Sequence, residues 1–391
     1  MKEDIEKIIK QERDMKLLFE KLISKKTNHK CLYPNCNKDA ILSHSISKSI
    51  LKNIDEKNHL VFQKFDRANF SSKDFINPKK INMELKIISI HKASTFKGFC
   101  KEHDNDIFEN IDNKGILTLR DVFLQLYRTS CKQYFLSNMV REAELNIFQQ
   151  EYYSNESFER NKTINLENIV LFLYDLLIEF PELDKPFTIN SNEVLWLKPF
   201  SKKIPLRDVN IIFKKLSTQY PIALESGYTL MLNKKYHSSL IIILQTETET
   251  LLFILCHKDA VTQYTPFFQS ELKMLNFIES LIVTDSEFYL NPSEFKTWST
   301  EKIDTIEKDL YFLNERKFLE DYDVSIFDEI RKSILKNESI EIQNHEKNKI
   351  DNKPSRSSIE SRFWNLGQVI ESSRLKMQNT TKQSSQYIAA R

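Results

Sequence analysis

The chain has 391 residues, of which 40% are hydrophobic and 29% charged, and its length allows two or three packed domains. Its 57 Lys and Arg residues against 55 Asp and Glu leave a formal net charge of +2, which argues against a globally basic nucleic-acid binder or a polybasic membrane anchor. Only four glycines are present, so the glycine-rich phosphate loops of nucleotide-dependent enzymes are not expected. Any nucleic-acid contact must come from a local basic patch.

Residues 1–28 alternate charged and apolar side chains at helical spacing, which predicts an amphipathic helix. They lack the continuous apolar core of a signal peptide. The longest apolar runs elsewhere have the length of strands and fall short of the roughly 20 residues of a membrane helix. We therefore expect a soluble, cytoplasmic protein with no membrane partner.

Two pairs of metal-ligating side chains lie in the N-terminal third of the chain. Cys31 and Cys36 flank turn-forming residues, and Cys100 and His103 open a predicted helix, where a spacing of three places both on one face. Together they predict a closed, tetrahedral Cys3His site for a structural Zn²⁺ ion. The alternative is that the cysteines are small buried side chains and the histidine lies on the surface. The two remaining thiols fall in apolar patterns and are predicted to belong to the core (Cys131 and Cys256).

The segment Ser43-His44-Ser45-Ile46 follows the first pair and Asp104 follows the second. This order resembles the treble-clef zinc fold of the HNH endonucleases over about residues 29–111. The resemblance implies that His44 is the general base that activates water. It also implies that Asp104 binds a catalytic Mg²⁺ or Mn²⁺ ion. The sequence departs from the family at Ser43, where Asp or His is usual, and at Asp104, where His is usual.

Phosphodiester hydrolysis requires a base and a cation that neutralises developing charge, so His44 and Asp104 form a minimal catalytic set. Other roles remain open for both. His44 could itself bind zinc, or be a buried histidine bonded to a backbone carbonyl. Asp104 could simply be an acid stabilised by the positive end of a helix. Arg128, which has apolar neighbours, is predicted to form a structural ion pair beside the zinc module.

Lys97 and Lys101 flank the second ligand pair and are candidate phosphate contacts. The alternative is that they belong to a solvated face. If they bind nucleic acid, we favour DNA over RNA as the partner.

The predicted architecture is α+β, with an N-terminal treble-clef-like zinc module and packed helices followed by a mixed β/α domain. The expected segments after the N-terminal helix are the zinc-binding module (29–115), a helical segment (116–185), the mixed β/α domain (186–335) and a flexible tail with a short helix (336–391). Residues 240–256 predict a hairpin around Thr246 to Thr250. The β/α domain is a candidate site for a protein partner.

The leading hypothesis is a zinc-stabilised, divalent-metal-dependent nuclease of HNH-like type, acting in bacterial defence. The alternative is a non-catalytic zinc-binding module that binds nucleic acid or a protein partner. A third hypothesis is a scaffold in which zinc is only structural.

Overall fold

The computed structural model describes residues 18, 21–24, 27–65, 83–148, 165–179, 183, 193–233, 235–284, 286–312 and 321–354. Within these ranges the chain forms an eight-stranded antiparallel sheet, a two-stranded sheet and helices on both sides. The predicted α+β class is confirmed. The predicted N-terminal helix lies almost entirely outside the described residues, and so does the short helix predicted in the tail.

The strands are numbered in chain order. Their bounds are β1 Leu42–His44, β2 His59–Phe65, β3 Met83–Ser89, β4 Thr95–Lys97, β5 Val194–Leu197, β6 Val209–Leu216, β7 Ile222–Leu232, β8 Lys235–Gln245, β9 Thr250–His257 and β10 Glu287–Leu290. The large sheet has the order β3-β2-β10-β7-β8-β9-β6-β5, and β1 pairs with β4 in the small sheet. The predicted hairpin is confirmed, because β8 pairs with β9 from Gln245 opposite Thr250 onward.

The helices are also numbered in chain order. Their bounds are α1 Lys48–Leu51, α2 Lys101–Lys114, α3 Leu119–Phe148, α4 Leu166–Glu179, α5 Val261–Tyr264, α6 Glu271–Ile282, α7 Pro292–Phe295, α8 Thr300–Phe312, α9 Asp328–Leu335 and α10 Ile340–Asp351. None of the helices in the described ranges combines the length and the apolar character needed to cross a bilayer.

Each face of the large sheet buries its own hydrophobic cluster. Side chains alternate between the two faces of a strand, so Leu240 and Ile242 contribute to the cluster formed with α2, α3 and α4. Ile241 and Ile243 contribute to the cluster formed with α6, α8 and α9. Because both faces are covered, β8 has a continuous apolar run instead of an alternating one. Cys131 and Cys256 are both fully buried, as predicted.

Two stretches differ from the predicted organisation. The strands β2 and β3 come from the predicted zinc-binding module but extend the large sheet, where β2 pairs with β10. Residues 340–351 form a helix where composition predicts a flexible linker. The reason is that Ser339 caps this helix, while Glu346 is buried against Arg331. Pairing with a buried cation offsets the polar composition of the segment.

Candidate metal centre and the adjoining His44 and Asp104 side chains

The small two-stranded sheet and one helix bring the two ligand pairs together. In this sheet, β1 and β4 pair with Ser43 opposite Phe96 and His44 opposite Thr95, and α2 begins a few residues after β4. We call the loop of residues 31–36, the small sheet and the first turn of α2 the zinc unit. The Leu32 N–H donates to the Gly98 carbonyl at 2.8 Å, and the Ile41 N–H donates to the Phe99 carbonyl at 2.7 Å. These bonds hold the loop beside the start of α2.

Gly98 allows the close approach in the zinc unit. A Cβ atom at this position would lie 2.4 Å from the Phe96 ring, well inside van der Waals contact. Within the loop, Asn35 adopts a positive φ of 63°, a conformation that Asn tolerates better than most residues. The Cys36 N–H donates to the Tyr33 carbonyl at 3.1 Å, which closes a turn between the first two cysteines.

The four predicted ligands converge as the sequence indicates. The His103 Nδ1 atom lies 3.4 Å from the Cys31 Sγ atom and 3.4 Å from the Cys100 Sγ atom. The Cys36 and Cys100 Sγ atoms are 4.0 Å apart, and all four donor atoms lie within 4.8 Å of one another. Around a tetrahedral zinc ion, bond lengths of about 2.3 Å to sulfur and about 2.0 Å to nitrogen give about 3.8 Å between sulfurs and about 3.5 Å between sulfur and nitrogen. The cluster therefore fits a four-ligand zinc site.

The surroundings of the cluster also suit a metal. The Tyr33 ring stacks on the His103 ring at 3.9 Å between centroids, which holds the imidazole in place. Burial raises the pKa of the Cys31 thiol to about 11. Burial alone would raise the pKa of the Cys100 thiol. Hydrogen bonds from the His103 backbone and from the other two cysteines outweigh this effect, so the pKa of Cys100 is lowered. Zinc binding requires deprotonated thiols, so a bound ion would replace the protons that the cluster shares.

His44 lies at the end of β1, outside the four-ligand cluster. Its ring forms a hydrogen bond with the Ile90 backbone that stabilises the charged form, so the ring nitrogen donates to the carbonyl. Its Nε2 atom is buried and has no hydrogen-bond partner within the described residues. Burial, followed by the charge of Arg128, lowers the pKa of His44 to about 4. The imidazole is therefore neutral at physiological pH, and the lone pair of its buried Nε2 atom is not used in a hydrogen bond with the described residues.

Asp104 lies in the first turn of α2 and takes part in a buried ion-pair network. The Arg128 guanidinium of α3 contacts the Asp104 carboxylate at 3.3 Å and the Asp112 carboxylate at 2.7 Å. Arg128 also lies 4.4 Å from the centre of the Phe108 ring, and its side chain is only 2% exposed. The ion pair predicted for Arg128 is confirmed. Burial raises the pKa of Asp104, while Arg128 and a hydrogen bond from Ser43 oppose the rise.

The two candidate phosphate contacts differ in exposure. Lys97 is half-buried in β4, whereas Lys101 is exposed at the first position of α2. Acidic side chains nearby pair with other lysines, since Lys38 contacts Glu102 and Lys30 contacts Asp39 at 2.7 Å. The surface around the zinc unit therefore carries charges of both signs, and nucleic-acid binding by the two lysines stays a prediction.

A second charged network, which sequence reasoning missed, lies between α3 and the large sheet. Lys132 of α3 is fully buried and contacts Glu225 of β7 and, at 2.6 Å, Glu287 at the start of β10. The Ser45 hydroxyl donates to the Glu225 carboxylate at 2.6 Å, and the Tyr289 hydroxyl donates to Glu287 and accepts from the backbone N–H of Ser94. The network thus joins the zinc unit to the large sheet. Its sequence signal was the single charge of Glu225 in the otherwise uncharged strand β7.

Comparison of the chain with protein-family models, with curated proteins and with solved structures finds no match. The resemblance to HNH endonucleases therefore rests on the residues of the zinc unit alone.

Proposed function

We propose that the zinc unit supports phosphodiester hydrolysis of HNH-like type, with His44 as the general base and Asp104 as a ligand of a divalent metal. The observation that carries the proposal is the state of His44. The imidazole donates one ring proton to the Ile90 carbonyl and leaves the lone pair of Nε2 without a partner among the described residues. A neutral histidine oriented by a backbone carbonyl is the arrangement that a general base requires.

The position of Asp104 supports the same function. Ser43, next to His44 on β1, forms a hydrogen bond with the Asp104 carboxylate, and Arg128 both contacts Asp104 and acts electrostatically on His44. The base and the carboxylate therefore share one neighbourhood, although they come from a strand and a helix. Carboxylate oxygens suit Mg²⁺ or Mn²⁺, and such an ion would supply positive charge to a phosphate.

The Asp104–Arg128 contact also favours a second candidate function, a non-catalytic zinc unit that binds nucleic acid or a protein. Because Arg128 already pairs with Asp104 as well as with Asp112, the Asp104 carboxylate can serve to anchor the arginine. In this candidate the Arg128 network takes the place of a catalytic metal, and His44 is a buried structural histidine.

A cleavage assay distinguishes the candidates. Plasmid DNA and single-stranded RNA are incubated with the full chain and Mg²⁺ or Mn²⁺, and the wild type is compared with His44→Gln and Asp104→Asn. His91→Ala is the matched control, because His91 is exposed in the turn after β3. We expect cleavage by the wild type and the control, with a loss of at least 100-fold in His44→Gln, the usual minimum contribution of general-base catalysis.

Zinc content and far-UV circular dichroism are measured on every variant, because a folded variant that retains zinc isolates the chemical role of His44. Salt-dependent binding without cleavage, under any of these metal conditions, would favour the non-catalytic candidate. If the chain neither binds nor cleaves DNA or RNA, the zinc unit has only a structural role.

A further inference from the structure

A second cluster of metal-ligating side chains lies on the large sheet, outside the zinc unit. His237 of β8 and His257 at the end of β9 are both buried, and their ring centroids are 4.6 Å apart. Asp259 follows in a 3₁₀ turn, Lys258–Ala260, that begins directly after β9. One donor atom from each of the three residues lies within 4.8 Å of the others. The adjacent strands β8 and β9 and the short turn after β9 therefore hold the three donor atoms close together.

The distances fit a shared ion. With a metal–nitrogen bond of about 2.1 Å, each imidazole centre lies about 3.2 Å from the metal, and ligand angles of 90–109° then separate two ring centres by about 4.5–5.2 Å. The observed separation of 4.6 Å falls in this range. The His257 Nδ1 atom and an Asp259 carboxylate oxygen are 3.5 Å apart, close to the roughly 3.4 Å expected between nitrogen and oxygen ligands of one tetrahedral ion.

The His257 Nδ1 atom also accepts the Asp259 backbone N–H at 3.2 Å, a bond at the long end of the normal range. The bond is confined to the short turn, so a metal ion can replace it at small cost. Asp208 lies on the other side of the same ring, with its carboxylate 3.7 Å from the His257 Nε2 atom. A carboxylate behind a ligating histidine is a common means of orienting the ring.

The local charge favours a cation. Lys258 is the nearest basic side chain in sequence, and it is paired with Asp208 at 2.6 Å. The Asp259 carboxylate therefore has no lysine partner in this turn and can balance the positive charge of a bound ion. Its side chain is 43% exposed, so an ion can reach the cluster from solvent.

We propose that His237, His257 and Asp259 bind a second divalent transition-metal ion, distinct from the zinc of the Cys3His cluster. Two imidazoles and one carboxylate form a borderline-to-hard donor set that suits Zn²⁺ and Co²⁺. Three protein ligands leave a fourth position open for water or another small ligand, unlike the closed site of the zinc unit.

Cobalt titration of the untagged, metal-depleted chain tests the proposal. Co²⁺ bound by thiolates gives intense sulfur-to-metal charge-transfer bands, whereas Co²⁺ bound by nitrogen and oxygen gives only weak ligand-field bands. We expect one equivalent to produce the charge-transfer bands and at least one more to bind without them, since an ion at Asp104 would add a further equivalent of the same kind. Asp259→Asn should weaken one equivalent that lacks these bands at least tenfold and leave the charge-transfer bands unchanged.

Asp304→Asn is the matched control, because Asp304 is an exposed acid on α8. His257→Gln provides an independent check on a buried ligand, with circular dichroism to establish folding. Binding of one equivalent by the wild type would overturn the proposal. An Asp259→Asn variant that binds as many equivalents as the wild type, all with unchanged affinity, would overturn it equally, since the ions would then lie elsewhere.

Discussion

Lys132 offers the sharpest test of the charged network that joins the zinc unit to the large sheet. Lys132→Met keeps the aliphatic stem and removes the only basic side chain that contacts Glu225 and Glu287 within the described residues. Glu225 is fully buried and Glu287 is 27% exposed at its side chain. Removing one partner of a buried ion pair costs about 3–5 kcal/mol, because the other charge stays desolvated. With two carboxylates left facing each other, we expect a loss in the upper part of this range.

The stability that Lys132→Met removes should be greater at high pH than at low pH. Burial raises the pKa of Glu225, and Glu287 raises it further, while Lys132 opposes both. Without the lysine, the folded-state pKa of Glu225 rises still more. A carboxyl group with a higher pKa in the folded state than in the unfolded state stabilises the folded state at low pH. This stabilisation is complete below the unfolded-state pKa and is lost as the pH rises through the folded-state pKa. The penalty of Lys132→Met should therefore be smaller at about pH 5 than at about pH 8, since Glu225 takes up a proton more readily at the lower pH.

Urea unfolding followed by circular dichroism at both pH values measures the effect. Lys38→Met is the matched control, because Lys38 pairs with Glu102 on the exposed surface, and it should leave stability unchanged. Lys132→Met combined with Glu225→Gln should recover much of the loss at pH 8. A penalty that is equal at the two pH values, or no larger than that of the control, would refute the proposed role of the buried charges.

Three further outcomes are expected. Chelation of zinc should expose the zinc unit to proteolysis before the large sheet, because structural zinc supplies about 10–16 kcal/mol of apparent binding energy in small modules; equal protection with and without chelator would contradict this. If Lys97 and Lys101 contact duplex phosphates, replacing both with Ala should reduce the log–log salt slope of DNA binding by about 1.8, as measured by fluorescence anisotropy. Gly98→Ala should cost about 1–3 kcal/mol by overpacking against Phe96, whereas Gly227→Ala, with its nearest contact at 3.3 Å to a flexible side chain, should cost less in the same urea assay.

The convergence of Cys31, Cys36, Cys100 and His103 could be predicted because its signal is local. Each pair has a spacing that a turn or one helical turn brings to a single face, and few other residue types bind zinc as well as Cys and His. The ion pair of Arg128 was also predictable, since a guanidinium among apolar side chains requires a partner. The identity of that partner was less accessible, because Asp104 had a simpler explanation as an acid at a helix N-terminus.

The large sheet illustrates why other features could not be predicted. The pairing of β2 with β10 joins segments that are far apart in sequence, and no local pattern encodes which strand edge meets which. The charged network depends on the same pairing, since Lys132 and Glu225 are 93 positions apart. The second cluster of candidate metal ligands was also missed, because His237 and His257 are isolated in sequence and meet only through the register of β8 and β9.

The position of β2 between β3 and β10 has a consequence for the order of folding. All four residues of the Cys3His cluster have been synthesised by residue 103, so a metal that fits this cluster can bind early. The edge of β2 that faces β10 in the folded sheet, however, stays unpaired until β10 emerges, and Gln63 meets Ser286 across 223 positions of sequence. Pairings of such long range form slowly, and an open strand edge can recruit other chains in the meantime. If the cluster binds zinc, newly made chains should therefore pass through a metal-loaded, aggregation-prone intermediate whose lifetime depends on the arrival of β10.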